Sequence, residues 1–196
     1  YLFFILDFFN LNLANVTIPP SVTSIKKFAF YFCKSITTIS LPSSLTEIGD
    51  YAFKNCKSLI EITIPSSVTS IGNFAFVHCV SIKQIEIPSS VISIGDFVFK
   101  DCYSLEQISI PSSLKSITSN MFTHCSSLKE IKIPSSIDQI AKKAFFRCYY
   151  INNILIPSSV TSICELSFSE CRSLTEITIP SSVTRIGKRA FSKCRL

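Results

Sequence analysis

Nine cysteines and two histidines are the residues of this chain best suited to chemistry, and eight of the cysteines keep one interval. Cys33, Cys56, Cys79, Cys102, Cys125, Cys148, Cys171 and Cys194 follow one another at a constant step of 23. Both histidines immediately precede a cysteine of that series, as His78-Cys79 and His124-Cys125. A thiolate beside an imidazole is a nucleophile, and thiols and imidazoles together ligate metals. Neighbours in sequence point about 100° apart on a helix, however. The six equivalent positions carry Phe32, Asn55, Asp101, Arg147, Glu170 and Lys193, so the position reads as variable and outward-facing. Four glycines in the whole chain leave little room for a phosphate-cradling loop. No catalytic constellation emerges, and the chain is expected to be no enzyme.

The interval belongs to the whole chain rather than to its cysteines. Proline recurs at 19, 42, 65, 88, 111, 134, 157 and 180, and phenylalanine at 30, 53, 76, 99, 122, 145, 168 and 191. The stretch IPSSVTSIG, from Ile64 to Gly72, has seven edited copies. A fixed period of this size means a solenoid with one supersecondary unit per coil. In the unit from Leu59 to Cys79, Leu59, Ile62 and Ile64 form L-x-x-I-x-I, which suits a half-buried strand. Pro65 ends that strand because it cannot donate to a ladder. Ser66 and Ser67 make a turn in which their hydroxyls bond nearby backbone amides. Val68 and Ile71 point inward from a second extended piece. Residues 73–79 read as a short helix or 3₁₀ turn with Ala75, Phe76 and Cys79 on one face. Seven full coils at the strand spacing span about 35 Å.

Stacking in register builds columns of Phe, Ile, Ala and Cys, the Ala column interrupted by Val98, Met121 and Ser167. All four glycines share a further column, at 49, 72, 95 and 187, where the other coils carry Lys26, Thr118, Ala141 and Cys164. A β-branched residue at positive φ is an outlier, so this column asks for a small side chain rather than a left-handed backbone. The cysteine column reads first as a ladder of buried free thiols packing as small hydrophobes. Disulfides between adjacent coils are the alternative, since a step near 5 Å falls within the usual Cα range of about 4.4–6.8 Å. Parallel Cβ vectors make that torsion awkward. A straight ladder does not converge on one ion at about 2.3 Å, so no metal and no cofactor are expected. Cys164, alone in the glycine column, is the best candidate for an exposed thiol.

The 196 residues are 47% hydrophobic and 16% charged, enough to bury a core. Net charge is +6, unevenly spread: residues 1–114 carry 7 basic and 8 acidic side chains, residues 115–196 carry 12 and 5. Such a basic end suits an acidic partner or anionic surface, although scattered surface lysines ordinarily serve solubility. No Arg-rich run or stacking motif supports nucleic acid as a partner. The opening YLFFILDFFNLNL is broken by Asp7 and too short for a span of roughly 20 residues. It also lacks signal-peptide features. Both ends fall inside the repeat pattern, so the chain reads as a fragment of a longer protein, with no anchor, signal or membrane insertion expected within the fragment.

The unit IPSSVTSIGDYAFKNC-x-SL-x-x-I resembles the BspA-like class of leucine-rich repeats over about residues 13–196, in eight registered copies. The resemblance implies an α/β leucine-rich-repeat solenoid. A parallel β-sheet covers one face; short helices or 3₁₀ turns and extended segments form the other. Residues 1–196 are then a single solenoid fragment, with 1–12 a degenerate coil or cap. The resemblance also implies a non-enzymatic, protein-binding adhesion module at the cell surface or secreted, whose partner is a host matrix or cell-surface protein. The alternative is an intracellular, cytoplasmic scaffold of the same fold with a cytosolic protein partner. Cut ends of such an array also favour end-to-end self-association.

In a solenoid, function lies where the columns vary. On the strand face the outward charged positions are Glu61, Lys83, Glu86 and Glu106, then Lys129, Glu130, Lys132 and Glu176, a mixed polar surface suited to a protein partner. Tyr103, Phe146, Tyr149 and Tyr150 form a second candidate, an aromatic patch at otherwise variable positions. Asn15-Val16-Thr17 is an N-glycosylation acceptor pattern and weakly favours a secreted location.

Overall fold

The computed structural model describes residues 14–195. The readings of residues 1–12 lie outside them. Within the described span the chain winds as a parallel β-solenoid, each coil contributing up to two short strands. The first ladder holds Asn15–Thr17, Thr38–Ser40, Glu61–Ile62, Gln84–Glu86, Gln107–Ser109, Glu130–Lys132 and Asn153–Leu155. The second begins with Ser24–Ile25, Glu47–Ile48, Ser70–Ile71 and Ser93–Ile94, which form one four-stranded sheet. Ser116–Ile117, Gln139–Ile140, Ser162–Ile163 and Arg185–Ile186 form another. Every pairing is parallel, and each partner is the equivalent residue one coil further along, as in Ile39↔Ile62 and Ile71↔Ile94.

The core is a set of files running along the axis. Phe53, Phe76, Phe99, Phe122, Phe145 and Phe168 are all fully buried, and consecutive rings in this file stack at centroid distances of 5.2–5.9 Å. Burial of each ring stabilises by roughly 2–3 kcal/mol, and near-parallel offset rings add a smaller term. Leu59, Ile62, Ile64, Val68 and Ile71 line the same interior in one coil, Leu105 and Ile117 in a later one. No coil covers its own interior face; the next coil does.

The expected helix or 3₁₀ turn is absent: among the described residues no helix forms, so the α/β expectation is corrected to an all-β coil closed by turns. Backbone bookkeeping gives the reason. The amides of Ala52, Lys54 and Cys56 close tight turns onto the carbonyls of Gly49, Tyr51 and Phe53. The alternate amides of Tyr51, Phe53 and Asn55 donate to Asn73, Ala75 and Val77 of the next coil at 2.8–2.9 Å. A helix would spend all of these amides within its own coil. Here half of them join coils, so the segment behaves as one more rung of a ladder. The turns place Tyr51 and Asn55 at φ 57° and 65°, and the same two positions are left-handed in every described coil. Sixteen non-glycine residues occupy this region, Phe28, Phe74 and Phe97 among them. Each costs about 1–2 kcal/mol of local strain, which stacking and cross-coil bonding must offset.

The glycines are not the left-handed residues; none has positive φ. A Cβ on Gly72 would stand 2.5 Å from the Asp50 nitrogen, so the column is small because adjacent backbones meet there. Two polar columns complete the joints. Ser67, Ser90 and Ser113 donate to the carbonyls of Leu45, Val68 and Val91 in the preceding coil, at 2.6–2.7 Å. The expectation that these serines cap nearby amides is thus replaced by donation across the stack, because the turn points them at an unfilled carbonyl. In the second column, Asp50, Asn73 and Asp96 accept the amides of Asn73, Asp96 and Ser119.

Candidate protein-contact surfaces

The thiols are the first chemical candidate, and the fold commits them to structure. All nine described cysteines are free. From Cys56 to Cys194 each ladder thiol donates to a phenylalanine carbonyl of the preceding coil, at 3.1–3.2 Å. Phe53 therefore receives both the Cys56 amide and the Cys79 thiol. Burial pushes the Cys33 thiol up to about 11, and burial reinforced by neighbouring thiols pushes Cys79, Cys125 and Cys171 higher still. These are protonated donors rather than nucleophiles. Cys164, outside the ladder, is half-buried beside the Gln139 amide at 3.5 Å; Cys194, the last rung, is half-buried too, with its thiol donated to Phe168 and its pKa raised by burial. In native protein at pH 8, one fast-labelling thiol, Cys164, is expected, and nine after unfolding in guanidinium. Fewer than eight after unfolding would contradict the free ladder, and several fast native thiols would contradict its burial.

The position before each cysteine is not uniformly outward-facing, as the sequence suggested: Asn55, Asp101 and Glu170 are buried, Phe32, His78, His124 and Arg147 half-buried, and Lys193 exposed. The left-handed backbone there turns the side chain along the stack, building a polar file. Asp101, 3% exposed, faces His124 Nδ1 at 2.7 Å and His78 Nε2 at 3.4 Å, with Lys100 at 3.8 Å and the Tyr103 hydroxyl donating at 3.4 Å. Burial lowers the His78 imidazole more than Asp101 raises it. Three coils on, Glu170, also buried, accepts Arg172 at 3.1 Å and lies 3.3 and 3.4 Å from Arg147 and Lys193. Burial alone would raise its carboxyl; Arg172, Arg147 and Lys193 outweigh that and hold it below the usual range. Neither histidine is directed at its adjacent thiol, so no cysteine–histidine nucleophile is assembled. No group of three or more potential ligands is arranged around a metal position among the described residues.

The strand face differs in kind. Glu61, Lys83, Glu86, Glu106, Lys129, Glu130, Lys132 and Glu176 are all exposed on it. Among the described residues none of the eight makes an ion pair or a side-chain hydrogen bond. Period-two alternation puts Ile62, Ile85, Ile131 and Ile154 inward and leaves Glu61, Glu86, Glu130 and Lys132 in water, while Lys83, Glu106 and Lys129 are exposed one residue ahead of their strands. A shallow trough of about 650 Å³ crosses three coils, lined by Glu61, Thr63, Gln84, Glu86, Gln107 and Ser109. A second depression continues it over Thr38, Ser40 and Glu61. Ile60 and Leu155 add exposed apolar side chains to this face.

The aromatic candidates do not form one patch. Tyr103 is tied to Asp101, and Tyr149 lies under Arg172 at 4.8 Å. Phe146 sits between Lys143 at 5.5 Å and Arg147 at 5.1 Å, while Tyr150 is exposed. No ring contact links the four. A different aromatic file escaped the sequence reading: Phe28, Tyr51, Phe74 and Phe97 stack at 4.5–4.9 Å along the turn face. Their constant step was visible in the sequence, but their half-exposed position was not.

Known proteins share both the repeat and its geometry. The BspA type Leucine rich repeat region, six copies, matches residues 7–102 and 69–196. Among curated proteins none matches. A leucine-rich repeat protein from Bacteroides ovatus is 27% identical with a TM-score of 0.73 over 92% of this chain and 64% of its own. The T. pallidum leucine-rich repeat protein is 30% identical, TM-score 0.71, over 90% of this chain and 74% of its own. A leucine-rich cell surface protein from Faecalibacterium prausnitzii is 28% identical, TM-score 0.56, over 92% and 63%. The chain thus spans less than two thirds of the Bacteroides and Faecalibacterium proteins. Repeat sequence, strand register and solved relatives agree: this chain belongs to the BspA-type leucine-rich repeat family.

Proposed function

We propose that this chain is a non-enzymatic protein-binding module of a cell-surface protein, with residues 13–196 acting as one solenoid unit that presents its strand face to the partner. One observation carries the reading: eight charged side chains stand exposed and unpaired on that face, while the repeated thiols and one serine in each of six turns are consumed in joining coils. Unpaired exposed charges are available to a partner without first breaking an internal bond. A similar protein described as a cell surface protein supports the location. Among the described residues no helix is long and apolar enough to cross a membrane. The second reading, an intracellular scaffold, draws on the nine free thiols, since disulfides are the commoner use of cysteine outside the cell.

The test is a binding screen of the purified chain against extracellular matrix proteins and intact cells, repeated with Lys129→Glu/Lys132→Glu. Affinity is expected to fall tenfold or more, about 1.4 kcal/mol, while the unfolding midpoint in urea stays within about 0.5 kcal/mol of the parent. Unchanged binding by the double variant would remove this face from the account. Capture only of cytosolic partners would favour the scaffold.

A further inference from the structure

The turn face of the last three coils carries the charge of the molecule. Eight cations project there: Lys142, Lys143 and Arg147 on the first of these coils, Arg172 on the second, then Lys188, Arg189, Lys193 and Arg195 on the third. Only Glu165 and Glu170 oppose them, leaving +6, the net charge of the entire chain. The two carboxylates account for four cations. Lys142 pairs with Glu165 at 2.8 Å, and Arg147, Arg172 and Lys193 surround Glu170. Lys143, Lys188, Arg189 and Arg195 have no carboxylate partner among the described residues, and the last three are exposed. Lys142, Lys143 and Lys188 together hold the Glu165 carboxyl below its ordinary range, so their fields overlap.

We propose that this face binds a linear sulfated polysaccharide laid along the solenoid axis. Coils lie about 5 Å apart, so an extended polyanion meets Lys142 and Lys143 on the first coil and Lys188 and Arg189 on the third, about 10 Å further on, with Arg172 the one cation of the coil between. The columns Lys142–Glu165–Lys188 and Lys143–Leu166–Arg189 run parallel, two cations wide at the first and third levels, with Glu165 paired to Lys142 and the half-buried Leu166 between them. The surface lacks what other polyanions use. A nucleic-acid strand stacks its bases on a run of open ring faces; Tyr149 and Phe146 are already covered by Arg172, Arg147 and Lys143, which leaves Tyr150 as a single exposed ring beside them. An anionic membrane is gripped by apolar side chains as well as charge. None of the exposed large apolar residues lies within 142–147, 165–172 or 188–195. The site is separate from the strand face, and its failure would leave the protein-binding reading intact.

The probe is heparin, titrated calorimetrically against the full chain at about 0.15 M NaCl, where screening acts over about 8 Å. Lys188→Glu/Arg189→Glu is compared with Lys34→Glu/Lys57→Glu. The latter is an equal charge change on exposed turn-face residues of the early coils, about 25–35 Å away at the strand spacing. Heparin binding is expected to weaken at least tenfold in the first variant and to stay within twofold in the second. Equal losses in both, or no binding by the parent, overturn the proposal. Duplex DNA or phosphatidylserine vesicles binding as tightly as heparin, and losing it in the first variant, overturn it in favour of that polyanion.

Discussion

Phe99→Ala is expected to lower the free energy of unfolding by about 3–5 kcal/mol, read as a shifted urea midpoint. Phe99 is fully buried, stacked on Phe76 at 5.6 Å and on Phe122 at 5.9 Å. Truncation opens a void between two rings fixed by their own coils. Those coils are joined by Phe76 N–H to the Val98 carbonyl and Phe99 N–H to the Met121 carbonyl at 3.0 Å, so the stack cannot readily close over the gap. The loss therefore lies toward the upper part of the range for large-to-small changes. Phe28→Ala, at a half-exposed ring of the outer file, is expected to cost well under half as much. Equal effects at both sites would mean that the inner file is not the core.

Gly95→Val is expected to cost about 1–3 kcal/mol by overpacking, for a reason unrelated to backbone freedom. Gly95 does not have positive φ, so valine is conformationally permitted. Its Cβ, however, would stand 2.5 Å from the Asn73 nitrogen and 2.7 Å from the Asn73 Cα. These are backbone atoms of an adjacent coil, and two coils must part to admit a methyl. Ala141→Gly in the same column is expected to change stability by less than about 1 kcal/mol, because its coil already accommodates a side chain. A tolerated Gly95→Val, judged by urea unfolding, would show that the coils are less tightly apposed.

Much of the fold was legible because repetition turns weak local signals into columns. The step of Pro, Phe and Cys gave the solenoid, the register and the buried face, and the absence of positive φ at the glycines followed from Thr118 sharing their column. Two things were hidden. The segment around Phe74 and His78 carries helix-like spacing, but hydrogen bonds to the next coil decide its backbone, and the choice between intra-coil and inter-coil donors is not written in one unit. The residue before each cysteine varies in chemistry and so looks solvent-facing. Its side chains are instead complementary to their equivalents in adjacent coils, His78 and His124 around Asp101, Arg147 and Lys193 around Glu170. Reading that position down the column, rather than along the chain, shows the alternation of charge. Period-two alternation accounts for the exposure of Glu61, Glu86, Glu130 and Lys132, whereas Lys83, Glu106 and Lys129 share the parity of an inward isoleucine and are exposed because they precede the strand. The wrapping of Tyr149 and Phe146 by cations depends on side-chain reach, which spacing does not encode.

Both candidate surfaces depend on coils lying one above another in the register that pairs Ile39 with Ile62 and Ile71 with Ile94. Nuclear Overhauser spectra of protein labelled only at phenylalanine rings measure this most directly. Cross-peaks are predicted to join Phe53 to Phe76, Phe76 to Phe99 and Phe99 to Phe122, each ring to its equivalents in the coils before and after it. Ring contacts at other separations, or rings without such neighbours, would contradict the stacked solenoid and every surface derived from it.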